Sequence, residues 1–522
     1  MTASLFRTTL RAGQASTSRA SRFRHTATCH ALSQARYNSS ASPSSSNTST
    51  SPAPTPTPSQ QLYTLNEIDK LTASIAESAF GPVHHPSPLV MRALPAPWLS
   101  SHSPDLASQT DSSAADGPET KAPEPISEEV LLRPKHMSES FTSFDLPLAS
   151  DTTLYERYVN TSGGFRMGKL LEHLDSLAGA VAYRHCLPTP RASYQTDSSA
   201  AFHEMSSRAG LYLATASADR LDMFGRLNRE NVRQFSGFVT WTGRSSLEVV
   251  VKMEGRKLKE TPGQYKTLML GRFAMVCRDS KTHKARQVPK LLVESQEEKV
   301  LWAIGEEHQK RRKTSAMNAL DKVPPSSEEA EELHKLMLEV SSKEQIDGET
   351  VVPMQDTEIQ TVQLMFPQDR NLHGKVFGGI LMRLWVPLLT ARSELCFTNA
   401  ALFAQAPMRY LSLDQIGFLL PVPIGAVLRL SSKVVKTTRP HDGPDGEAKA
   451  HIMVRAEVEE VDTGVRRETN TFFFTMAKED NEPIGRTIVP STYMEAMHYL
   501  EGKRRLEMGE EMRRLYKVGR SQ

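Results

Sequence analysis

The sequence predicts an α+β fold that is built twice in one chain, each time as a long helix packed on the concave face of an antiparallel sheet. The segment 160–175 reads Asn-x-x-Gly, then a glycine five residues later, then an apolar stretch at helical spacing, and the segment 371–387 repeats this order. In both places a series of Val-, Phe-, Thr- and Leu-rich runs follows the helix. One helix followed by several antiparallel strands favours an α+β arrangement.

Length and composition limit the alternatives. A chain of 522 residues can hold two ordinary domains with extensions. A net charge of +3 is too close to balance to indicate a nucleic-acid partner. The sequence has no run of 18 apolar residues that would predict a transmembrane segment. Four cysteines (Cys29, Cys186, Cys277 and Cys396) stand apart without metal-ligand spacing, which favours reduced, structural thiols.

The N-terminal segment has the composition of a targeting sequence. It contains six arginines and many Ser and Thr residues, and the first acidic residue is Glu67. This composition is typical of a mitochondrial transit peptide, and a disordered basic tail is the alternative. Ala35-Arg36-Tyr37 resembles a matrix-processing site. We therefore expect a transit peptide over residues 1–37 and a location in the mitochondrion, specifically the matrix.

Composition and periodicity divide the rest of the chain. The predicted segments are a largely disordered Ser/Pro-rich linker with room for one helix at 62–80 (38–125), a first domain (126–315), a helical inter-domain linker (316–350), a second domain (351–490) and a charged C-terminal helix lying on the surface (491–522).

The first half carries the clearest helix, from Lys169 to Tyr183, because its apolar residues recur at i, i+4, i+7 and i+8. Strands are predicted at Leu211–Ala216, Phe235–Thr242, Ser246–Glu254 and Thr267–Val276, followed by helices at 291–313 and 326–342. The second half repeats the order with a strand at Glu358–Met365, a helix from Ile380 to Cys396, and strands at Met408–Leu413, Val427–Thr437, Ala450–Val461 and Arg467–Ala477.

Asp175 is the first candidate catalytic residue. Leu171 and Ala178 flank it at i−4 and i+3, so its carboxylate is expected to project from the apolar stripe. A carboxyl group in such a place needs hydrogen bonds, and burial raises the pKa of a carboxyl group, which suits a general base near neutral pH. The alternative is a structural Asp that binds nearby backbone or a basic side chain.

The glycine-rich loops supply the second half of the predicted chemistry. Glycine permits close approach of backbone to a ligand, and the first N–H groups of a helix lack intrahelical partners. Gly168, Gly378 and Gly379 are therefore candidates for holding an oxyanion. A loop that merely caps its helix is the alternative for each copy alone.

The two copies differ at one decisive position. Where the first has Asp175, the second has Val386 followed by Pro387, and a proline inside a helix removes a hydrogen bond and kinks the chain. The sequence thus predicts one working site, built from Asp175 of the first half and Asn371 of the second. The mirror arrangement, Asn160 with Val386, is predicted to be inactive.

Four motifs together resemble a known family. They are Lys135–Ser138, Gly168–Leu177, Phe235–Gly243 and Arg370–Arg383. In combination they are similar to the double hotdog-fold acyl-CoA thioesterases. The resemblance implies two tandem hotdog domains that form an intrachain pseudo-dimer, with an active site shared between an Asn of one unit and an Asp of the other, here Asn371 and Asp175.

The resemblance also implies the reaction and the partners. A fatty acyl-CoA would be hydrolysed to a free fatty acid and coenzyme A, without a metal and with coenzyme A present only as part of substrate and product. Homo-oligomers are implied, with a trimer of double hotdogs as the expected form.

Two rival functions keep the same fold. A hotdog hydratase would need a Gly-Asp-x-Asn-Pro-x-x-His segment, which this sequence lacks. A non-catalytic acyl-CoA-binding or scaffold protein is the other alternative, and the presence of both Asp175 and Asn371 argues against it.

Several other polar residues receive secondary roles. Asn160 and His373 could contact substrate, although a hydrogen bond within the loop is the simpler role for His373. Glu172 is a reserve base, beside His173 off the main apolar stripe. Asp222 and Asp414 are interpreted as turn or sheet-edge residues at equivalent places in the two halves.

Overall fold

The computed structural model describes most of the chain from residue 65 onward. The described ranges are 65–80, 89–90, 125–160, 163–188, 205–227, 231–257, 266–317, 319–320, 322–340, 345–346, 348–366, 395–418, 420, 422–442, 446–480 and 482–518. The predicted transit peptide, and the predicted site residues Asn371, His373, Gly378, Gly379, Val386 and Pro387, lie outside these ranges. Both halves belong to one compact unit, Pro56–Gln522.

The first half consists of short N-terminal elements, one long helix and a set of long strands. Its helices are α1 (Leu65–Phe80), α2 (Glu128–Leu131), α3 (Thr152–Glu156) and α4 (Met167–Cys186). Its strands are β1 (Leu89–Val90), β2 (Lys135–His136), β3 (Thr142–Leu146), β4 (Leu211–Ala218), β5 (Leu221–Met223), β6 (Asn231–Thr242), β7 (Ser246–Lys257), β8 (Lys266–Asp279) and β9 (Leu291–Leu292).

Two helices, α5 (Gln296–Met317) and α6 (Ser327–Val340), lead to the second half. The second half contains strands β10 (Gln345–Ile346), β11 (Glu349–Pro353), β12 (Ile359–Leu364), β13 (Met408–Leu413), β14 (Ile416–Gly417), β15 (Val427–Thr438), β16 (Lys449–Glu459), β17 (Arg466–Lys478) and β18 (Arg486–Val489). Its helices are α7 (Leu395–Ala404) and the C-terminal α8 (Tyr493–Val518).

The α+β prediction is confirmed, and the long strands agree with the sequence to within a few residues. Two helix predictions need correction. The segment at 291–313 opens with β9, and its helix starts only at Gln296. Most of the predicted helix Ile380–Cys396 lies outside the described residues, and the described helix α7 runs from Leu395 past Cys396 to Ala404, where Gln405 takes a left-handed conformation with φ 51°. Glycine usually ends helices in this way, so a glutamine gave no sequence signal.

Within the described residues, thirteen strands form one continuous sheet that passes through both halves. Its main order is β1-β3-β6-β7-β8-β5-β13-β17-β16-β15-β12, and β4 and β14 pair beside the centre. The halves meet at two antiparallel contacts, β5 with β13 and β4 with β14. A sheet edge of one half is therefore completed by the same edge of the other.

In each half, one hydroxyl side chain joins a short 3-10 helix to a strand of the sheet by hydrogen bonds. A 3-10 helix precedes β3 at Met137–Ser140 and precedes β12 at Met354–Thr357. The Ser140 hydroxyl donates to the Met137 carbonyl at 2.7 Å and accepts from the Val239 N–H at 2.9 Å. The Thr357 hydroxyl likewise donates to its own 3-10 helix at 2.7 Å and accepts from Val434 N–H at 3.0 Å. Val239 and Val434 each precede a register shift in their sheets, so the repeat extends to the bulges.

Helix α4 lies in the core because its apolar stripe is buried almost completely. Leu170, Leu171 and Leu174 have no exposed surface. The helix ends against Lys135, whose ammonium donates to the carbonyls of Arg184 at 3.0 Å and Leu187 at 2.8 Å. Burial lowers the pKa of Lys135 to about 8, and the two carbonyl contacts satisfy the C-terminal end of the helix.

Buried ion pairs link the two halves where their sheet edges meet. Arg220, in the turn between β4 and β5, donates to both oxygens of Asp222 at 3.0–3.1 Å. Its guanidinium also contacts Asp414, just after β13, and the Ser412 hydroxyl at 2.6 Å. Burial raises the pKa of Asp414, while the charge of Arg220 acts in the opposite direction.

The C-terminal helix α8 packs one face on the protein, while Tyr493, Met494 and Met508 stay exposed. Ala496 and Leu500 are buried at 2% and 0% exposure. Its charged residues also find partners inside the protein, because Glu510 accepts from buried Lys449 at 2.6 Å and Arg513 lies 3.3 Å from Asp222. High charge had suggested a solvated helix, but these charges are paired.

Replacing Arg220 by methionine should strongly destabilise the protein, because two buried carboxylates would lose their nearest cation. Removal of one partner from a buried ion pair costs about 3–5 kcal/mol. Urea-induced unfolding followed by circular dichroism measures the effect. The control is Arg311→Met, which removes an exposed i,i+4 pair with Glu307 and should change the free energy of unfolding by less than about 0.5 kcal/mol. Equal effects of the two substitutions would contradict the role given to Arg220.

A second stability prediction concerns pH. Two hydrogen bonds from Arg504, at 2.6 and 2.7 Å, lower the pKa of Glu329 from its ordinary 4.5 to about 2. A carboxyl group with a lowered folded-state pKa stabilises the fold above pH 4.5 and loses that contribution as the pH falls toward 2. Glu329→Gln should therefore make the free energy of unfolding less steep between pH 5 and 3. Glu328→Gln, at an exposed neighbour on the same helix, is the control and should leave the slope as in the wild type.

Candidate functional site

Asp175 lies where the sequence placed it, on the apolar face of α4 and with no exposed surface. Its Oδ1 accepts a hydrogen bond of 2.9 Å from the hydroxyl of Thr215 on β4. A buried carboxylate is stabilised by such a donor, and the contact also fixes the direction of the acid. Sequence reasoning missed Thr215, because a threonine in a strand-like run has no signal that distinguishes it from an ordinary sheet residue.

The strand that holds Thr215 is also the strand at the seam between the halves. Ser217 and Ala218 pair with Gly417 and Ile416 of β14. The carbonyl of Ala216 accepts from the N–H of Phe418 at 3.0 Å. Asp175 is thus hydrogen-bonded to a strand that borders the second half, as a site shared between halves requires.

Backbone register identifies which residues are equivalent in the two halves. Thr215 faces Met275 of β8, and the next step of the ladder is shifted. Tyr410 faces Met476 of β17 and is followed by the same shift. Tyr410 is therefore the counterpart of Thr215, and its hydroxyl donates across the seam to the carbonyl of Leu221 at 3.0 Å.

A cavity of about 300 Å³ lies between the halves on the Tyr410 side. Its lining comes from the loop before α4 and the start of that helix, from the segment after β5, and from α7, β13 and β17 of the second half. The lining residues are Asn160, Gly163, Gly164, Phe165, Met167, Leu171, Met223, Gly225, Arg226, Leu227, Cys396, Phe397, Met408, Arg409, Tyr410, Phe474, Met476 and Glu479. We call this space the mirror groove, since it brings together Asn160 and Tyr410 and is not lined by Asp175.

Gly168 belongs to the mirror groove's end of α4 rather than to the surroundings of Asp175. It lies in the first turn, next to Met167 and after the loop that contains Asn160. Asp175 follows seven residues later, which at 1.5 Å per residue is about 10 Å along the helix axis. Gly168, one of the three glycines predicted to hold an oxyanion, is thus separated from Asp175 by about two turns of the helix.

Two backbone hydrogen bonds join the described residues of the loop before α4. The N–H of Asn160 donates to the carbonyl of Gly164 at 2.8 Å, and the N–H of Gly163 donates to the carbonyl of Asn160 at 3.2 Å. Gly163 has φ +82°, a conformation that L side chains rarely adopt, which explains a glycine at this place. The loop thereby holds Asn160 at the wall of the mirror groove.

The secondary candidates lie elsewhere. His173 accepts from or donates to the Tyr158 hydroxyl at 2.6 Å, and its ring packs edge-on against Phe144 and Phe235. Asp222 and Asp414 lie at the sheet edges that meet at the seam, as expected. Their supposed equivalence was wrong, however, because the counterpart of Asp414 is Asp219: each follows its edge strand and donates its N–H to the neighbouring strand, to Phe473 and Arg272 respectively.

One side-chain cluster has the composition of a metal site. Ligand atoms of Asp219, Glu248 and His308 lie within 4.8 Å of one another. Arg312 already donates to both oxygens of Asp219 at 3.0 Å and to Glu248 at 2.9 Å. Its guanidinium supplies the positive charge that an ion would otherwise bring, so we interpret the cluster as a buried ion pair that fixes α5 on the sheet.

Sequence comparison finds clear relatives. The chain is 32% identical over 382 residues to acyl-coenzyme A thioesterase 9, mitochondrial, of Mus musculus, which covers 72% of this chain and 79% of the relative. Acyl-coenzyme A thioesterase 10, mitochondrial, of the same species is also 32% identical, with the same coverage. A plant relative, acyl-coenzyme A thioesterase 4, mitochondrial, of Humulus lupulus, is 31% identical over 375 residues, covering 70% of this chain and 66% of its own length. No family model matches the chain.

Solved structures give weaker likenesses. An acyl-CoA hydrolase from Staphylococcus aureus, in complex with butyryl coenzyme A and coenzyme A, covers 33% of this chain and 97% of its own, with 20% identity and a TM-score of 0.28. An oleoyl thioesterase from Lactobacillus plantarum covers 65% and 95%, with 10% identity and a TM-score of 0.35. Among the described helices, none is both long and apolar enough to cross a membrane.

Proposed function

We propose, from the premise that this chain belongs to the acyl-coenzyme A thioesterase family, that it hydrolyses fatty acyl-CoA to a free fatty acid and coenzyme A. The observation that carries the proposal beyond family membership is the fully buried Asp175, held by Thr215 on the strand that borders the second half. A buried, oriented carboxylate at a seam between halves is the group that a shared thioesterase site needs.

The architecture we propose is a pair of tandem hotdog domains. The support is the repeated order of 3-10 helix, strand, helix and antiparallel strands among the described residues, together with the edge-to-edge contacts of β5 with β13 and β4 with β14. In this arrangement two grooves run along the seam. Asp175 and Thr215 belong to one groove, and Asn160 and Tyr410 belong to the other.

Asp175 acts in this mechanism as general base on a water molecule. The water oxygen adds to the thioester carbonyl, the C–S bond breaks, and the proton taken by Asp175 is transferred to the leaving coenzyme A thiolate. Direct attack by the carboxylate to give a mixed anhydride is the alternative route. Thr215 is a positioning residue, because its hydroxyl contacts the acid and fixes its direction.

Asn371 completes the site by orienting the water or the carbonyl. Since Gly168 lies about 10 Å along the helix from Asp175, we assign the oxyanion-stabilising N–H groups to Gly378 and Gly379, which stand beside Asn371 in the sequence. His373 is placed in the same loop as a substrate contact. The site is proposed to need no metal and no cofactor other than the coenzyme A of the substrate.

Location and assembly follow as further parts of the proposal. The Arg-rich, acid-free N-terminal segment and relatives named as mitochondrial together support a mitochondrial protein, and the matrix is the proposed compartment. Residues 1–37 are proposed as the transit peptide, and residues 38–125 as a linker apart from α1 (Leu65–Phe80) and β1 (Leu89–Val90), which pack on the first half. A trimer of double hotdogs is the proposed oligomer.

Asp175→Asn should abolish most of the activity while the protein stays folded, because the amide keeps the shape but cannot accept the proton. Thiol release from acyl-CoAs of short to long chain should fall by about two orders of magnitude or more, and Asn371→Ala should have a comparable effect. Glu172→Gln, three residues before Asp175 on the same helix, is the matched control and should keep activity within about twofold. A wild-type protein that binds coenzyme A but releases no thiol from any acyl-CoA would instead support the binding-scaffold alternative.

Thr215→Val tests the positioning role with little change in volume. The variant should lower kcat by about tenfold, since Asp175 loses the donor that orients it, while KM changes little. Thr215→Ser retains the hydroxyl and should recover most of the rate. If valine and serine behave alike in steady-state kinetics, the hydrogen bond has no role in turnover.

A further inference from the structure

The mirror groove is a formed cavity at the place where the seam repeats the catalytic arrangement with different residues. We infer that it binds acyl-CoA without hydrolysing it, as a second ligand site in each chain. This inference rests on the proposed function, because it assigns to the mirror groove the same ligand that Asp175 is proposed to hydrolyse.

The first support is the kind of surface that lines the groove. Met408 and Met476 are almost fully buried, and with Phe397 and Leu227 they give an apolar wall suited to an acyl chain. A volume of about 300 Å³ is at the small end of the range for small-molecule pockets, which favours short acyl chains.

The second support is the pair of polar side chains, Asn160 and Arg226, that also line the groove. Asn160 occupies in this groove the sequence position that Asn371 occupies in the other copy of the motif. Arg226 also lines the groove and is exposed, so its guanidinium can meet a phosphate of coenzyme A from solvent. The groove thus combines a polar amide side chain, an exposed cation and an apolar lining.

The third support is that no counterpart of Asp175 is found among the described residues that line the groove. Tyr410 stands in the mirror groove where Thr215 stands beside Asp175, and its hydroxyl is already used by the carbonyl of Leu221. Burial raises the pKa of Tyr410 well above its usual range, so it remains protonated. The acidic residue among the lining side chains is Glu479, an exposed residue after the end of β17 rather than on a central helix. The described lining residues therefore include no acid on a central helix, and the sequence has Val386 at the position that corresponds to Asp175.

The experiment counts binding sites with ligands that cannot be hydrolysed. Isothermal titration calorimetry of the full chain is done with S-butyl and S-dodecyl thioethers of coenzyme A. We expect two binding events per chain for the S-butyl ligand in the wild type and in Asp175→Asn. Leu227→Trp should fill the mirror groove and reduce the count to one. Arg226→Glu should weaken one of the two events by about tenfold or more, and Arg311→Glu, at an exposed arginine on α5, should change neither.

A failure of the second binding site can be distinguished from a failure of the proposed thioesterase function. A single event in the wild type that survives both Leu227→Trp and Arg226→Glu would overturn the second site even if thiol release is normal. Two events in a protein that releases no thiol would overturn the thioesterase proposal while the mirror groove remains a ligand site. If Leu227→Trp fails to fold, the Arg226→Glu titration decides the question alone.

Discussion

The contact between two sheet edges is the constraint on which the rest of this structure depends. Each half ends in an edge strand that would expose unpaired N–H and C=O groups, and each edge is covered by the corresponding edge of the other half. Backbone pairing alone gives a short contact, so the seam is reinforced by Arg220 between Asp222 and Asp414. Because the proposed catalytic groove and the mirror groove both border this seam, their shapes are set by how the halves meet.

The seam also explains why the two grooves differ although the backbones repeat. The hydroxyl contacts of Ser140 and Thr357, and the register shifts that follow Thr215 and Tyr410, show that the backbone of the two halves has been kept almost step for step. At the seam itself, the equivalent positions of Thr215 and Tyr410 carry different side chains. A structure can therefore lose a base on one side without any change in the sheet that supports the other side.

The parts of the fold that a sequence predicts well are those with long periodic patterns. Helix α4 and the long strands were found because burial imposes a repeat of 3.6 or 2 over many residues. Strands of two or three residues, such as β5 and β14, show no period, yet they form the seam. Thr215 was missed for a related reason: its partner Asp175 lies forty residues earlier, and only the folded sheet brings the two together. Asp175 itself could be predicted because a lone acid interrupts an otherwise apolar helix face, whereas the places of Asn371, Gly378 and Gly379 remain predictions.

The order of the strands along the chain has a consequence for synthesis. The first half is complete, with its edge at β4 and β5 open, before the ribosome has made Met408–Gly417. From the end of β8 at Asp279 to Gly417 the ribosome adds 138 residues (417 − 279), so at about 5–20 residues per second that edge waits for about 7–28 s. Open edges are templates for wrong pairing, so this interval is when the nascent protein is most exposed to aggregation. The polar character of Asp219, Arg220 and Asp222 at that edge then protects the unfinished chain, before any of these residues has met its partner from the second half.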